Sequence, residues 1–116
     1  MTRKQIAEAF SNGIFKETYP YLADNVQWNV VGEGSFNGKN AVIKNCEQVA
    51  GYFESVTTNF ITEAVISEGS RIVMTGTAEF FRDGKRVNFV SACDVYAFNE
   101  SNQLQTITSY CISDKR

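Results

Sequence analysis

The sequence predicts an α+β fold in which N-terminal helices pack on one face of a curved antiparallel sheet. Helical spacing of apolar residues is confined to the first half of the chain. After Val56 the spacing changes to that of strands, with four β-rich runs in succession. The connectors between those runs are short, and Asp83-Gly84 is a strong hairpin signal. At 116 residues the chain suits a single domain spanning 1–116. Its 43% hydrophobic and 13% aromatic content marks a folded globular protein, because disordered chains are poor in aromatics.

Residues 3 to 12, "RKQIAEAFSN", place Ile6 and Phe10 four apart, and Asn12-Gly13 is a suitable helix stop. "IFKETYPYLA" is a second short helical piece limited by Pro20, so the first helical region runs to about residue 19. "NVQWNVV" reads as a strand and "GEGSFNG" as a loop. From Lys39 to about Val56, the residues Val42, Cys46, Val49, Phe53 and Val56 mark an amphipathic helix facing a core. "TTNFITEAVIS", "SRIVMTGTAEFF", "RVNFVSACDVYAF" and "QLQTITSYCI" then form an antiparallel meander.

Composition removes several classes of function. A net charge of −2, with the charges scattered, gives no basic footprint for nucleic acid and no polybasic signal for membranes. The N-terminus has no apolar leader segment, and no run approaches the roughly 18 apolar residues of a membrane span, so a cytoplasmic location is expected. The chain has no histidine, which excludes His-dependent nucleophile activation and the commonest zinc sites. Cys46, Cys93 and Cys111 are odd in number and far apart, suggesting neither a disulfide framework nor a metal site. "GEGSFNG" has G-x-G-x-x-x-G spacing and precedes consecutive strands, so it reads as a turn, not a nucleotide loop. No cofactor is expected.

Two carboxylates stand apart from the rest. Glu79 in "TGTAEFF" and Asp94 in "FVSACDVYAF" are both mid-strand, and the Asp83-Gly84 turn makes their strands neighbours. Parity alone leaves open which face each uses. If both faced inward they would form a candidate acid–base pair, one neutral and one charged. The alternative is an outward, exposed pair, which suits Glu79 better. The aromatics, Trp28, Tyr52 and Phe53 among them, fit either a core or the wall of an apolar cavity. Cys93 and Cys111 read as small buried hydrophobes.

The order of short helix, "YPYLADNVQWNVVG", "GSFNGKNAVIKN" helix and four strands resembles the nuclear transport factor 2-like superfamily, particularly its SnoaL-like and ketosteroid-isomerase-like members. The resemblance spans nearly the whole chain, and its pieces are "AD" entering the first strand, "GKNAVI", and the final hairpin "DVYAF…LQTITSY". It implies a conical pocket between helices and sheet, a homodimer formed through the sheet, and a small, mostly apolar ligand with a carbonyl or hydroxyl. Members of this superfamily include isomerases, cyclases, epoxide hydrolases and noncatalytic modules. The isomerase's oxyanion-holding acid looks like Asp94, its base falls at Asn29, and its tyrosine falls near Gln5. The epoxide-hydrolase pattern falls on Thr77-Ala78-Glu79 and Ser109. The resemblance thus implies Asp94 and Glu79 as catalytic candidates, with Asn29, Gln27, Trp28, Tyr52, Phe53 and Ser109 around the ligand.

Overall fold

The structure, a computed structural model, describes residues 1–113. Helix α1, Arg3–Ser11, starts from a reciprocal cap in which the Thr2 hydroxyl accepts from the Gln5 backbone and the Gln5 side chain accepts from the Thr2 backbone. It buries Ile6, Ala7, Ala9 and Phe10. Gly13 ends it with φ +79°, a left-handed conformation that glycine adopts without strain. A Cβ at that position would stand 2.8 Å from the Phe53 ring. Phe15–Tyr21 then winds as a 3-10 helix containing Pro20, so the first helical region is two pieces with a break.

Strand β1, Leu22–Val30, and strand β2, Gly34–Asn37, form a hairpin in which Trp28 opposes Phe36. The expected "GEGSFNG" loop is therefore half strand. Its four residues at 34–37 are too few and too polar to show a period of two, yet they complete the hydrogen bonds of β1. Helix α2, Lys39–Glu54, buries Val42 and Cys46, with Val49 and Phe53 half-buried against the same core. Strands β3 (Thr57–Glu68), β4 (Arg71–Arg82), β5 (Lys85–Phe98) and β6 (Leu104–Ser113) make the expected meander. At the β4–β5 turn both Asp83 and Gly84 have positive φ, 53° and 76°, as a two-residue turn matching strand twist requires.

The six strands lie in the order β2-β1-β6-β5-β4-β3. All pairs are antiparallel except β1 with β6, which run parallel with Trp28 opposite Ile107 and Val30 opposite Ser109. The wholly antiparallel sheet expected from sequence is thus corrected to a mixed one. No hairpin ties β1 to β6, and the long α2-and-meander connection is the kind of crossover a parallel pair needs. A bulge between Thr62 and Ala64 shifts the β3–β4 register beside Gly76. There a Cβ would collide with the Ile61 carbonyl oxygen, so only glycine admits this close passage of backbone. Helices α1 and α2 pack on the concave face, and the core between them and the sheet holds Ile6, Leu22, Val26, Val42, Tyr96, Leu104 and Ile107.

Candidate functional site

Strand alternation sorts the concave-facing side chains. On β4 they are Met74, Gly76, Ala78 and Phe80. On β5 they include Ala92, Asp94 and Tyr96, and on β6 Ile107 and Ser109. Between this face and the two α-helices lies a cavity of about 380 Å³, within the range of roughly 300–1,000 Å³ usual for small-molecule sites. Its wall is largely aromatic and aliphatic. Phe10 meets Trp28 edge-on at 4.9 Å between ring centres, and Phe53 stacks on Phe80 at 5.8 Å with Phe60 edge-on to Phe53 at 5.5 Å.

Asp94 brings a carboxyl into this wall, opposite Met74 on one side and Ser109 on the other. The Ser11 hydroxyl, from the last residue of α1, donates to Asp94 Oδ2 at 2.9 Å. Ser11 Oγ also lies 2.5 Å from the hydroxyl of Tyr96, a residue with no exposed surface. Because Ser11 spends its one proton on Asp94, Tyr96 is the donor to Ser11. On the other flank, Trp28 Nε1 donates to Ser109 Oγ at 3.0 Å, and the Ser109 hydroxyl bonds to Asp94. Two donor chains, Tyr96–Ser11 and Trp28–Ser109, therefore converge on one carboxyl.

Desolvation pushes the Asp94 carboxyl above its ordinary value, against Ser109, Ser11 and the nearby Tyr96 hydroxyl, which favour the ionised form. Burial, followed by the nearby Asp94 carboxyl, also drives the Tyr96 phenol well above its usual value. Cys111 shares this end of the cavity. The residue as a whole is exposed, not the small buried hydrophobe expected, but its sulfur faces the cavity, where desolvation and then the Asp94 and Glu33 carboxyls push the thiol up to about 11, so it remains protonated. Cys46, on the inner face of α2, is wholly buried, and its thiol is raised to about 12, chiefly by burial.

Of the residues singled out in the sequence, Asp94, Trp28, Phe53 and Ser109 line the cavity together. Glu79 does not. It sits on the convex face, where its carboxylate takes an ion pair from Arg86 at 3.1 Å and a hydrogen bond from Asn59 at 3.3 Å. The odd offset between Glu79 and the concave Met74 places it there. The same alternation turns Gln27 and Asn29 away from the Trp28 side, and Asn29 Oδ1 accepts from Ser35 at 2.8 Å. Tyr52 is 41% exposed and packs on Phe53 and Phe80 outside the lining. Gln5 is taken up in the cap of α1.

Three residues of the site escaped the sequence reading. Tyr96 follows Asp94 by two, so strand period placed it on the same face and could have revealed it. Ser11, at the end of a helix facing strands more than 80 residues away, carries no local signal. Glu33 lies in the β1–β2 turn and lines the cavity as its second carboxyl. Among the described residues no group of three or more His, Cys, Asp or Glu could hold a metal ion. Among the same residues no helix is long and apolar enough to cross a membrane.

Helices laid on the concave face of a curved mixed sheet, over a cavity holding one half-buried carboxyl, define the class of conical α+β pocket proteins. Neither a protein-family model nor a curated protein matches the chain. Among solved structures, an NTF2-like protein of unknown function from Cytophaga hutchinsonii is 34% identical, with a TM-score of 0.84, covering 94% of this chain and 95% of its own. The chain belongs to the NTF2-like family. Two more distant structures share the fold. An LEH-like epoxide hydrolase of M. tuberculosis is 15% identical, with a TM-score of 0.69 over 93% of this chain and 80% of its own. The epoxide hydrolase/cyclase-like enzyme SalBIII, of pyran ring formation in salinomycin, is 16% identical, with a TM-score of 0.72 over 95% and 90%.

Proposed function

We propose that this protein binds a small, mostly apolar molecule in the cavity, with the molecule's polar atom at Asp94. The observation that carries the reading is the Asp94 carboxyl, held by Ser11 and Ser109 in a wall otherwise made largely of aromatic and aliphatic side chains. Where the polar atom is a carbonyl or hydroxyl oxygen, neutral Asp94 donates a hydrogen bond to it. In isomerase- or cyclase-like chemistry the same proton would stabilise negative charge developing on that oxygen. The epoxide hydrolase and the cyclase-like enzyme that share the fold support a cavity of this kind put to chemical use.

A second reading is binding without turnover. It is favoured by the position of Glu79, whose ion pair with Arg86 on the convex face removes it as a base. Titration with 2-tetralone, an apolar ketone, separates these readings. Saturable quenching of the chain's single tryptophan, Trp28, is expected, weakened in Asp94→Asn and unchanged in Glu79→Gln. Absence of saturable quenching, or indifference to Asp94→Asn, would overturn the proposal. Accelerated deuterium exchange at the ketone's α-carbon marks an enzyme, and binding without exchange marks the module.

We infer also that a second copy of the chain covers the convex face of the sheet. Ile66, Tyr110 and Ile112 alternate onto that face and are 45–68% exposed. Light scattering at micromolar concentration should give the mass of a dimer, and a monomer mass would contradict it.

A further inference from the structure

The charges lining the cavity are all of one sign. The chain has 11 lysines and arginines, yet among the described residues none lines the cavity, whereas Asp94 and Glu33 both do. The rest of the wall offers aromatic faces, with Phe10 and Trp28 tied to the Asp94 end and Phe53, Phe60 and Phe80 grouped elsewhere. Phe10 precedes Ser11, which bonds Asp94, and Trp28 donates to Ser109, which bonds it from the other flank. Met74 stands opposite Asp94, and Phe80 lies six residues further along the same strand. The cavity thus has a carboxyl beside Phe10 and Trp28, and Phe15, 4.9 Å from Phe10 and 6.2 Å from Phe53 between ring centres, continues the aromatic wall from there to the Phe53, Phe60 and Phe80 cluster.

We infer that the preferred ligand of this cavity is a lipophilic amine, whose ammonium group pairs with the Asp94 carboxylate while its hydrocarbon part lies among the aromatic rings. This rests on the proposed binding at Asp94 and names the head group. Hydroxyl donors on the two flanks of Asp94 serve its ionised form, and an N–H from the cavity side completes the pair. Aromatic faces attract a desolvated cation and its polarised methylenes. An anionic head group meets two carboxyls and no compensating cation, so its desolvation goes unrewarded. Protons balance without another reactant. An ammonium ion entering the site displaces the Asp94 proton to solvent, or a neutral amine takes that proton directly, and both routes end in the same neutral pair. The other titratable groups facing this end, Tyr96, Cys111 and Glu33, contribute no positive charge to compete with the ligand.

The test uses one skeleton with three head groups: 2-naphthylmethylamine, 2-naphthalenemethanol and 2-naphthoate, titrated calorimetrically into the intact protein at pH 7. The amine should bind at least about tenfold more tightly than the alcohol, with the naphthoate weakest. In Asp94→Asn the advantage of the amine over the alcohol should vanish, while Glu79→Gln retains it. An alcohol that binds as tightly as the amine, or a naphthoate that matches either, overturns the amine assignment and leaves the proposed binding at Asp94 standing. Failure of all three to bind removes both. The ranking is read on the wild-type protein, so the inference stays testable even if Asp94→Asn misfolds.

Discussion

Asp94 and Glu79 are the same kind of group in nearly the same setting, mid-strand carboxylates on adjacent strands, and the fold gives them opposite roles. Glu79 lies on the convex face, answered by the full charge of Arg86 at 3.1 Å. Asp94 lies on the concave face, answered only by hydroxyls, with apolar rings nearby. A partly exposed ion pair adds little stability. A half-buried carboxyl served by neutral donors titrates above its ordinary value, which suits a group that must meet a ligand. The difference arises from one step of strand parity, since Met74 and Glu79 stand an odd number of residues apart on β4.

The comparison depends on the sheet keeping its faces distinct, and Gly76 lies on β4 between Met74 and Glu79. In Gly76→Val a Cβ would fall on the Ile61 carbonyl, forcing β3 away. This should destabilise the protein by about 3 kcal/mol in urea unfolding, the upper range for overpacking. Tyr96→Phe removes only the hydroxyl that donates to Ser11, and a loss of about 1–2 kcal/mol is expected for a buried hydrogen-bonding group. With Ser11 no longer polarised by Tyr96, its bond to the ionised carboxyl weakens, so the Asp94 titration should also move upward.

Asp94→Asn sharpens the contrast through its pH dependence. The folded-state pKa is raised above the ordinary 3.8. The stability this confers is therefore full below the unfolded value and is lost as pH rises through the folded one. Unfolding at a series of pH values should show Asp94→Asn gaining on the wild type as pH rises above about 4, reaching equal or greater stability at pH 8. Glu79→Gln should give the smallest effect, within about 0.5 kcal/mol, because its pair with Arg86 is partly solvated. A loss above about 2 kcal/mol there, beyond the range of a solvated pair, would mean that the convex pair holds the fold together as strongly as the concave network does.

Much of the fold was legible because it follows from local chemistry. The 3.6 period of Val42, Cys46, Val49 and Phe53 fixed α2, and Asp83-Gly84 fixed the β4–β5 hairpin and so made β4 and β5 neighbours. The parallel pairing of β1 with β6 was not legible, because it joins segments with no turn between them. In the site, Asp94 stood out as a charge in an apolar run and Ser109 came with the resemblance. The face used by Glu79, Asn29 and Gln27 depended on register, which single-strand parity cannot supply. Ser11 needed the whole fold, since only the docking of α1 on the sheet brings its hydroxyl to a strand 83 residues away.

The account turns on Asp94 being a carboxyl whose burial outweighs its hydrogen bonds. Carboxyl-carbon NMR titration of Asp94 in the ligand-free protein measures this directly. The account predicts a midpoint for Asp94 clearly above the ordinary value of 3.8, moving further upward in Tyr96→Phe. A midpoint at or below about 3.9, the value of an unperturbed aspartate, would contradict it.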